Sequence, residues 1–190
     1  MSDIKLFMLL LGCKPTGRNT EQHDIFFGIG YSLSDLLPDM QEFWPGSGKL
    51  HIDAWREVTL VDGFAIQVVP KTNNPAGDAA KLFFINLGGY KEQEFEEYHY
   101  KILAIGKQKS DAIQQAKQTA FYKHTGFAGA DSHIDDKYGI DVDDLYEIED
   151  ILPAHLKKQY SLQLGPAEVA TPDQWHLGYT KLSSLEKNRL

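Results

Sequence analysis

Two short polar patterns each occur twice in the sequence, and their residue types are those that bind metals or transfer protons. Each pattern places a histidine and a carboxylate two residues apart: Glu21 and His23, Glu97 and His99, His51 and Asp53, and His133 and Asp135. Residues two apart on a strand point to the same face of the sheet, so each pair presents an imidazole beside a carboxylate. If the two strands of a copy are neighbours, two histidines and two carboxylates meet, a set that suits zinc, iron or another divalent metal.

The same residues also have a structural interpretation, which is the preferred one at the level of sequence. Glu21 and His23 share the face of Ile25, Phe27 and Ile29 and would form the polar rim of a core face. A histidine and a carboxylate there can hydrogen-bond across the sheet without any ligand. We therefore expect no cofactor, with a ligand-binding rim and a metal or acid–base site as alternatives.

A short loop, residues 14–20, is a second candidate for binding. Lys14, Arg18 and Asn19 supply hydrogen-bond donors, while Pro15 and Gly17 favour a turn. Such a loop in an acidic protein could capture an anion or a carboxylate. The alternative is an ordinary exposed hairpin loop, since the glycine spacing does not match a phosphate-binding loop.

Composition and charge exclude several classes of function. The net charge of −8 and the lack of clustered lysine and arginine argue against nucleic acid or an anionic membrane surface as partner. The single cysteine, Cys13, rules out an intrachain disulfide framework and suits a reducing compartment. We expect a cytoplasmic protein that binds an unidentified small molecule or protein, and a homo-oligomer stays open.

An internal repeat is the strongest signal in the sequence. Residues 5–35 align without a gap on residues 81–111, with eleven identities that include Gly12 with Gly88. Beyond the predicted helix that follows residue 35, the shift between the copies rises from 76 to 82 residues. It then places the tripeptide His-Ile-Asp at 51–53 on the same tripeptide at 133–135, which implies six extra residues in the second copy. Agreement in both residue type and order predicts a duplicated unit.

Each copy reads as β-β-α-β-β, an α+β unit in which one helix covers one face of a sheet. The predicted strands lie near 4–12, 21–31, 49–55 and 58–69, and then near 80–88, 97–106, 132–136 and 140–150. We expect the copies to span 4–69 and 80–151, joined by a linker at 70–79 and packed about a pseudo-two-fold axis. Residues 152–190 are predicted to pack on the second copy.

Two segments of the first copy resemble a known family. Residues 10–28 and 50–55 are similar to a small bacterial family catalogued as domain of unknown function 1543, whose members carry one or two copies. The resemblance implies no chemistry. The second copy departs from it, because residues 90–95 share nothing with the loop at 14–19.

Two functions of different classes follow. The first is a non-enzymatic binding or assembly module with a groove between the copies, favoured by the duplication and the lack of a complete catalytic motif. The alternative is a small metal-dependent, hydrolase-like enzyme whose ion is held by Glu21, His23, His51 and Asp53.

Overall fold

A computed structural model describes residues 3–72, 79–90, 93–116, 118, 140–168 and 171–186. The chain forms two compact units, the first comprising residues 1–73 and 152–190 and the second residues 74–151. The strands and helices are β1 (Lys5–Cys13), β2 (Gln22–Gly30), a 3-10 helix (Leu33–Leu36), α1 (Leu37–Phe43), β3 (His51–Glu57), β4 (Leu60–Val61), β5 (Phe64–Pro70), β6 (Lys81–Tyr90), β7 (Glu97–Gly106), α2 (Lys109–Ala116), β8 (Ile140–Glu147), α3 (Ile148–Ile151), α4 (Ala154–Gln159), β9 (Tyr160–Pro166), β10 (His176–Lys181) and α5 (Leu182–Glu186).

The main sheet of the first unit is antiparallel, with strand order β10-β3-β1-β2. Strand β1 is central and nearly continuously apolar because both of its faces are buried. One face packs under the 3-10 helix, α1 and α5. Its buried core consists of Phe7, Leu9, Leu11, Phe26, Leu36, Leu37, Met40, Ile52, Leu182 and Leu185.

The helix of the first unit begins where the sequence places a carboxylate in its opening turn. Asp35 accepts hydrogen bonds from the backbone N–H groups of Tyr31 at 3.0 Å and Ser32 at 2.8 Å. Ser32 is the N-cap residue of the 3-10 helix, whereas the hydroxyl of Ser34 donates to the carbonyl of Leu185. These bonds fix the chain reversal between β2 and the helices.

The C-terminal extension packs on the first unit, so the prediction that it packs on the second copy is wrong. Strand β9 pairs with β5 from Phe64 opposite Pro166 to Pro70 opposite Tyr160, in a three-stranded sheet of order β4-β5-β9. Strand β10 pairs with β3. The physical reason is that β3 and β5 would otherwise present unpaired edges, which the extension covers.

The second unit contains an antiparallel sheet of order β7-β6-β8. Its central strand, β6, corresponds in position to β1, which lies between β2 and β3. Helix α2 covers one face through a small core of Phe83, Ile85, Leu87, Ala104, Ala112 and Ala116. The described elements are therefore mixed α and β, with mostly antiparallel sheets and short helices.

The strand registers locate the positions that correspond between the units. Lys5 lies opposite Gly30 and Lys81 opposite Gly106, which agrees with the offset of 76. In the third strand, however, Gly12 lies opposite His51 while Gly88 lies opposite Asp141, an offset of 90 (residue 51 to residue 141) rather than 82.

This register differs from the predicted alignment of the second copy. By register, Asp141 and Asp143 hold the positions in β8 that His51 and Asp53 hold in β3, so the offset grows by fourteen residues after the helix rather than by the predicted six. The predicted candidates His133 and Asp135, with the predicted strand at 132–136, lie outside the described residues. The predicted strand at 140–150 divides into β8 and α3.

No helix in the described ranges is long and apolar enough to cross a membrane.

Candidate metal centre

The first-unit cluster, defined as Glu21, His23, His51 and Asp53, forms around a glycine on the central strand. Gly12 of β1 lies opposite His23 on one side and His51 on the other. Directly opposed residues of an antiparallel pair share a face, so both imidazoles project on the side of Gly12. The face involved is the one opposite the helices, because the neighbouring residue Leu11 belongs to the helix-covered core.

A β-bulge brings the fourth side chain to the same place. The pairing of β1 with β3 shifts register between Leu10 and Leu11, so Asp53 has no direct partner on β1. A bulge turns the extra residue away from the regular alternation of the strand. Asp53 thus lies on the face of His51, with its carboxylate over Gly12.

The donor atoms of the four side chains lie close together. His51 Nε2 is 2.9 Å from Glu21 Oε1 and 3.3 Å from Asp53 Oδ2. His23 Nε2 is 3.3 Å from Asp53 Oδ2 and 3.8 Å from Glu21 Oε2. Ligands bound to one ion at about 2.0–2.2 Å are themselves about 3.0–3.5 Å apart. The contacts of His51 with Glu21 and Asp53 and the contact of His23 with Asp53 are close to this range, whereas that of His23 with Glu21 is longer.

Gly12 is required for this arrangement. A Cβ atom at position 12 would overlap Asp53 Oδ2, and it would lie 2.6 Å from His51 Nε2 and 3.2 Å from His23 Cδ2. The absent side chain therefore provides the space into which three of the four groups extend.

The carboxylate of Asp53 is not satisfied by hydrogen bonds. Its Oδ2 atom is buried and has no hydrogen-bond partner in the described part of the chain, although two imidazole nitrogens lie 3.3 Å away. A buried carboxylate oxygen without a partner is costly, and native proteins rarely leave one so. Imidazole nitrogens and carboxylate oxygens that lie close together without hydrogen-bond geometry are the arrangement that surrounds a bound metal ion.

The orientation of His51 suits a ligand. Its ring is buried, and Nδ1 lies 3.2 Å from the carbonyl of Lys49, to which it donates when that nitrogen carries the proton. This tautomer leaves the lone pair of Nε2 directed into the cluster, the pattern of metal-binding histidines held by a backbone carbonyl. The ring of Tyr179 packs against His51 at 4.6 Å between centroids and restricts it further.

One side of the cluster is open to solvent. The side chains of Glu21 and His23 are 46 % and 43 % exposed, against 7 % for His51. A ligand or a water molecule can therefore reach the cluster from the side of β2.

The second unit contains a related group, which we call the second-unit cluster: Glu97, His99 and Asp143. One potential ligand atom of each residue lies within 4.8 Å of those of the other two, and His99 Nε2 is 3.4 Å from Asp143 Oδ2. Glu97 and His99 were predicted from the sequence, whereas Asp143 was not. Its detection needed the strand register, because the repeated tripeptide His-Ile-Asp drew the alignment to residue 135.

The basic loop is separate from the first-unit cluster. Lys14, Arg18 and Asn19 are exposed around a turn in which the Arg18 N–H bonds to the Pro15 carbonyl at 3.2 Å. No hydrogen bond or ion pair among the described residues joins these three side chains to the cluster. Anion capture by this loop stays a prediction.

Cys13 follows Gly12 but lies on the other face of β1, inside the core. It is fully buried, and desolvation raises the pKa of its thiol, with the Glu21 carboxylate adding to the rise. A thiol in this setting is protonated at neutral pH, so the structure favours a packed residue over a nucleophile.

Comparison with known proteins gives a family model and a fold. Residues 18–68 match the family described as Domain of Unknown Function (DUF1543), and this segment contains all four residues of the first-unit cluster. The crystal structure of a protein Il1583 from Idiomarina loihiensis superposes with a TM-score of 0.64 at 23 % sequence identity, over 95 % of this chain and 99 % of that one. This likeness shows the fold alone. The search of curated proteins gives no match.

Proposed function

We propose that the first unit is a divalent-metal-binding module whose ligands are Glu21, His23, His51 and Asp53. The observation that carries the proposal is the buried Asp53 Oδ2, which lies 3.3 Å from two imidazole nitrogens and has no hydrogen-bond partner in the described ranges. An ion at the centre of the cluster would satisfy this oxygen and both nitrogens together.

The donor set favours a first-row transition metal over magnesium or calcium. Two imidazoles with two carboxylates suit zinc or iron(II), whereas magnesium and calcium prefer oxygen ligands alone. The carboxylates also balance the charge of a divalent ion, which makes the bound state electrically neutral at the site.

The competing explanation is a network of histidines and carboxylates without an ion. In that network an imidazole N–H would donate to Asp53, yet within the described part of the chain no contact at Asp53 Oδ2 has hydrogen-bond geometry. The geometry therefore supports the metal better than the network.

The test is elemental analysis of the protein purified without chelator, followed by calorimetric titration of the metal-free protein with Zn²⁺. All titrations use a His99→Gln/Asp143→Asn background, which disables the second-unit cluster. We expect one equivalent to bind, and we expect His23→Gln or Asp53→Asn to weaken binding by at least about 100-fold, since loss of an outer-shell partner alone costs 10–100-fold.

The matched control is His155→Gln. His155 also lies beside a carboxylate, with Nε2 3.5 Å from Asp39 Oδ2, but it is outside the cluster. It should leave the affinity unchanged. Equal affinity in the background variant with and without His23→Gln, with both proteins folded by circular dichroism, would refute the proposal, as would the absence of Zn²⁺ and Fe²⁺ binding.

A second candidate function is a metal-dependent hydrolase, and the exposed side of the cluster favours it. A zinc-bound water at that side would have its pKa lowered to about 7 and could act as a nucleophile. The test is hydrolysis of p-nitrophenyl esters and phosphate esters by the Zn²⁺-loaded protein. Activity should follow metal occupancy and disappear in His23→Gln; a rate equal to that of free Zn²⁺ would leave a binding module only.

We further propose that the two units arose by duplication. The support is the shared strand order around β1 and β6, with a register shift after the fourth residue pair of both the β1–β3 and the β6–β8 ladder, counted from Phe7 and Phe83. Each unit also carries a lysine–glutamate pair at the other end of the same ladder, 2.8 Å apart in both.

A further inference from the structure

We infer that the second unit holds a second metal site, formed by Glu97, His99 and Asp143, which prefers a harder divalent cation such as Mn²⁺ than the first site does. The existence of this site stands on its own residues, while the difference in preference rests on the proposed function of the first unit.

The three side chains converge from two strands that flank β6. Glu97 and His99 lie on β7 opposite Tyr90 and Gly88, and Asp143 comes from β8. Their ligand atoms lie within 4.8 Å of one another, which one ion can bridge after small rotations of exposed side chains. His99 and Asp143 are 39 % and 28 % exposed, so the site is reached from solvent.

The backbone beneath the cluster leaves the same space as in the first unit. The β6–β8 ladder shifts register between Asn86 and Leu87, so Asp143 is the extra residue of β8 at this shift. A Cβ atom at Gly88 would overlap Asp143 Oδ2 and lie 2.7 Å from Oδ1. A bulged aspartate over a glycine thus occurs in both units, beside a histidine on the neighbouring strand.

A hydrogen bond outside the cluster orients one carboxylate. The phenol of Tyr90 donates to Glu97, the residue opposite it in the ladder. Partners of this kind hold ligating carboxylates in place and are a regular part of metal sites.

The predicted difference in preference comes from one register position. Where the first unit has His51 opposite Gly12, the second has Asp141 opposite Gly88. The second-unit cluster therefore has one imidazole and two carboxylates. Imidazole suits zinc and iron, whereas carboxylate oxygen suits manganese, magnesium and calcium, so the loss of an imidazole lowers the advantage of Zn²⁺ over Mn²⁺.

The experiment isolates each site in the full-length chain. In one variant, His23→Gln/Asp53→Asn disables the first site, and in the other, His99→Gln/Asp143→Asn disables the second. Mn²⁺ binding is followed by electron paramagnetic resonance and Zn²⁺ binding by calorimetry, with His155→Gln as control and circular dichroism as a check of folding.

We expect the variant that lacks the first site to bind one equivalent of Mn²⁺. Adding Asp143→Asn to that variant should weaken its Mn²⁺ binding by at least tenfold. We also expect the ratio of Zn²⁺ affinity to Mn²⁺ affinity to be at least tenfold smaller in this variant than in the variant that lacks the second site. The proposal of a second site would be overturned if the variant that lacks the first site showed no saturable Mn²⁺ binding, or if Asp143→Asn left that binding unchanged. Equal Zn²⁺-to-Mn²⁺ affinity ratios in the two variants would overturn the predicted difference in metal preference. Failure of the variant that lacks the second site to bind Zn²⁺ would count only against the proposal for the first unit.

Discussion

The two clusters differ mainly in how tightly the protein holds them. In the first unit, His51 is buried, its Nδ1 meets the Lys49 carbonyl and its ring packs on Tyr179. In the second unit, all three residues of the cluster are exposed. Preorganised ligands lose less conformational freedom on binding, so the comparison predicts that the first cluster binds an ion more tightly than the second.

The supports around the clusters are, in contrast, closely matched. A lysine at the start of the central strand pairs with the last residue of the third strand in both units. An aspartate braces the turn before the helix in both, since Asp111 accepts from the N–H groups of Lys107 at 3.0 Å and Gln108 at 3.2 Å, as Asp35 does in the first unit. The scaffold is therefore more alike than the clusters that it carries.

The largest contrast is expected from an alanine at the central glycine of each cluster. Gly12→Ala drives a methyl group into Asp53 and the buried ring of His51, and it should abolish metal binding at the first site and destabilise the fold by about 1–3 kcal/mol. Gly88→Ala meets only the Asp143 carboxylate, which is exposed enough to rotate away, so its cost should stay within about 0.5 kcal/mol.

Denaturant unfolding can assign this cost to the correct unit. All three tryptophans, Trp44, Trp55 and Trp175, lie in the first unit, so their fluorescence follows that unit while far-UV circular dichroism follows both. Equal losses of stability for Gly12→Ala and Gly88→Ala would contradict the difference in rigidity between the clusters.

A smaller effect should come from making the clusters alike. Asp141→His restores the residue type of His51 at the corresponding register position and should raise Zn²⁺ affinity at the second site by about tenfold, or about 1.4 kcal/mol. The measurement is Zn²⁺ titration in the His23→Gln/Asp53→Asn background. Asp144→His, three residues further along β8, is the matched control and should give no such gain.

Removing the aspartate that caps the turn before the helix should lower the free energy of unfolding by a similar amount in both units. Asp35→Ala and Asp111→Ala each remove a carboxylate that accepts from two backbone N–H groups, and each should cost about 1 kcal/mol of stability, as lost caps do. Urea unfolding measures both, with the tryptophan signal changing for Asp35→Ala only. A loss confined to one unit's aspartate would show that the braces are not equivalent.

The smallest effect is expected from the lysine–glutamate pairs, because both are partly exposed. Glu57→Gln and Glu147→Gln should each cost about 0.2–1 kcal/mol at neutral pH. The hydrogen bond and charge of Glu147 raise the pKa of Lys81 above its ordinary value of 10.5. Because the folded pKa is the higher one, this stabilisation is present below pH 10.5 and is lost as pH rises through the folded pKa.

The check is the difference in unfolding free energy between wild type and Glu147→Gln from pH 8 to pH 11.5. The difference should stay constant up to about pH 10.5 and shrink above it. A difference that stays constant across it would mean that the pair contributes through packing rather than charge.

The sequence predicted the side chains of the first-unit cluster but preferred a purely structural role for them. It could pair Glu21 with His23, and His51 with Asp53, because residues two apart on a strand share a face. It could not show that β2 and β3 flank the same glycine of β1, since neighbouring strands are chosen by hydrogen bonding between segments far apart in the chain. The unsatisfied oxygen of Asp53 was equally invisible, because burial depends on everything packed around it.

What the sequence determined by itself was local: most of the strands, and the histidine and carboxylate pairs, of which Glu21 and His23 recur as Glu97 and His99 at an offset of 76. Tertiary structure alone decided that Asp143 holds the same register position in its sheet as Asp53, and that the C-terminal extension completes the first unit rather than the second. The physical reason is that identity in a short tripeptide carries little energy, whereas a ladder of backbone hydrogen bonds and a bulge fix which residues face each other.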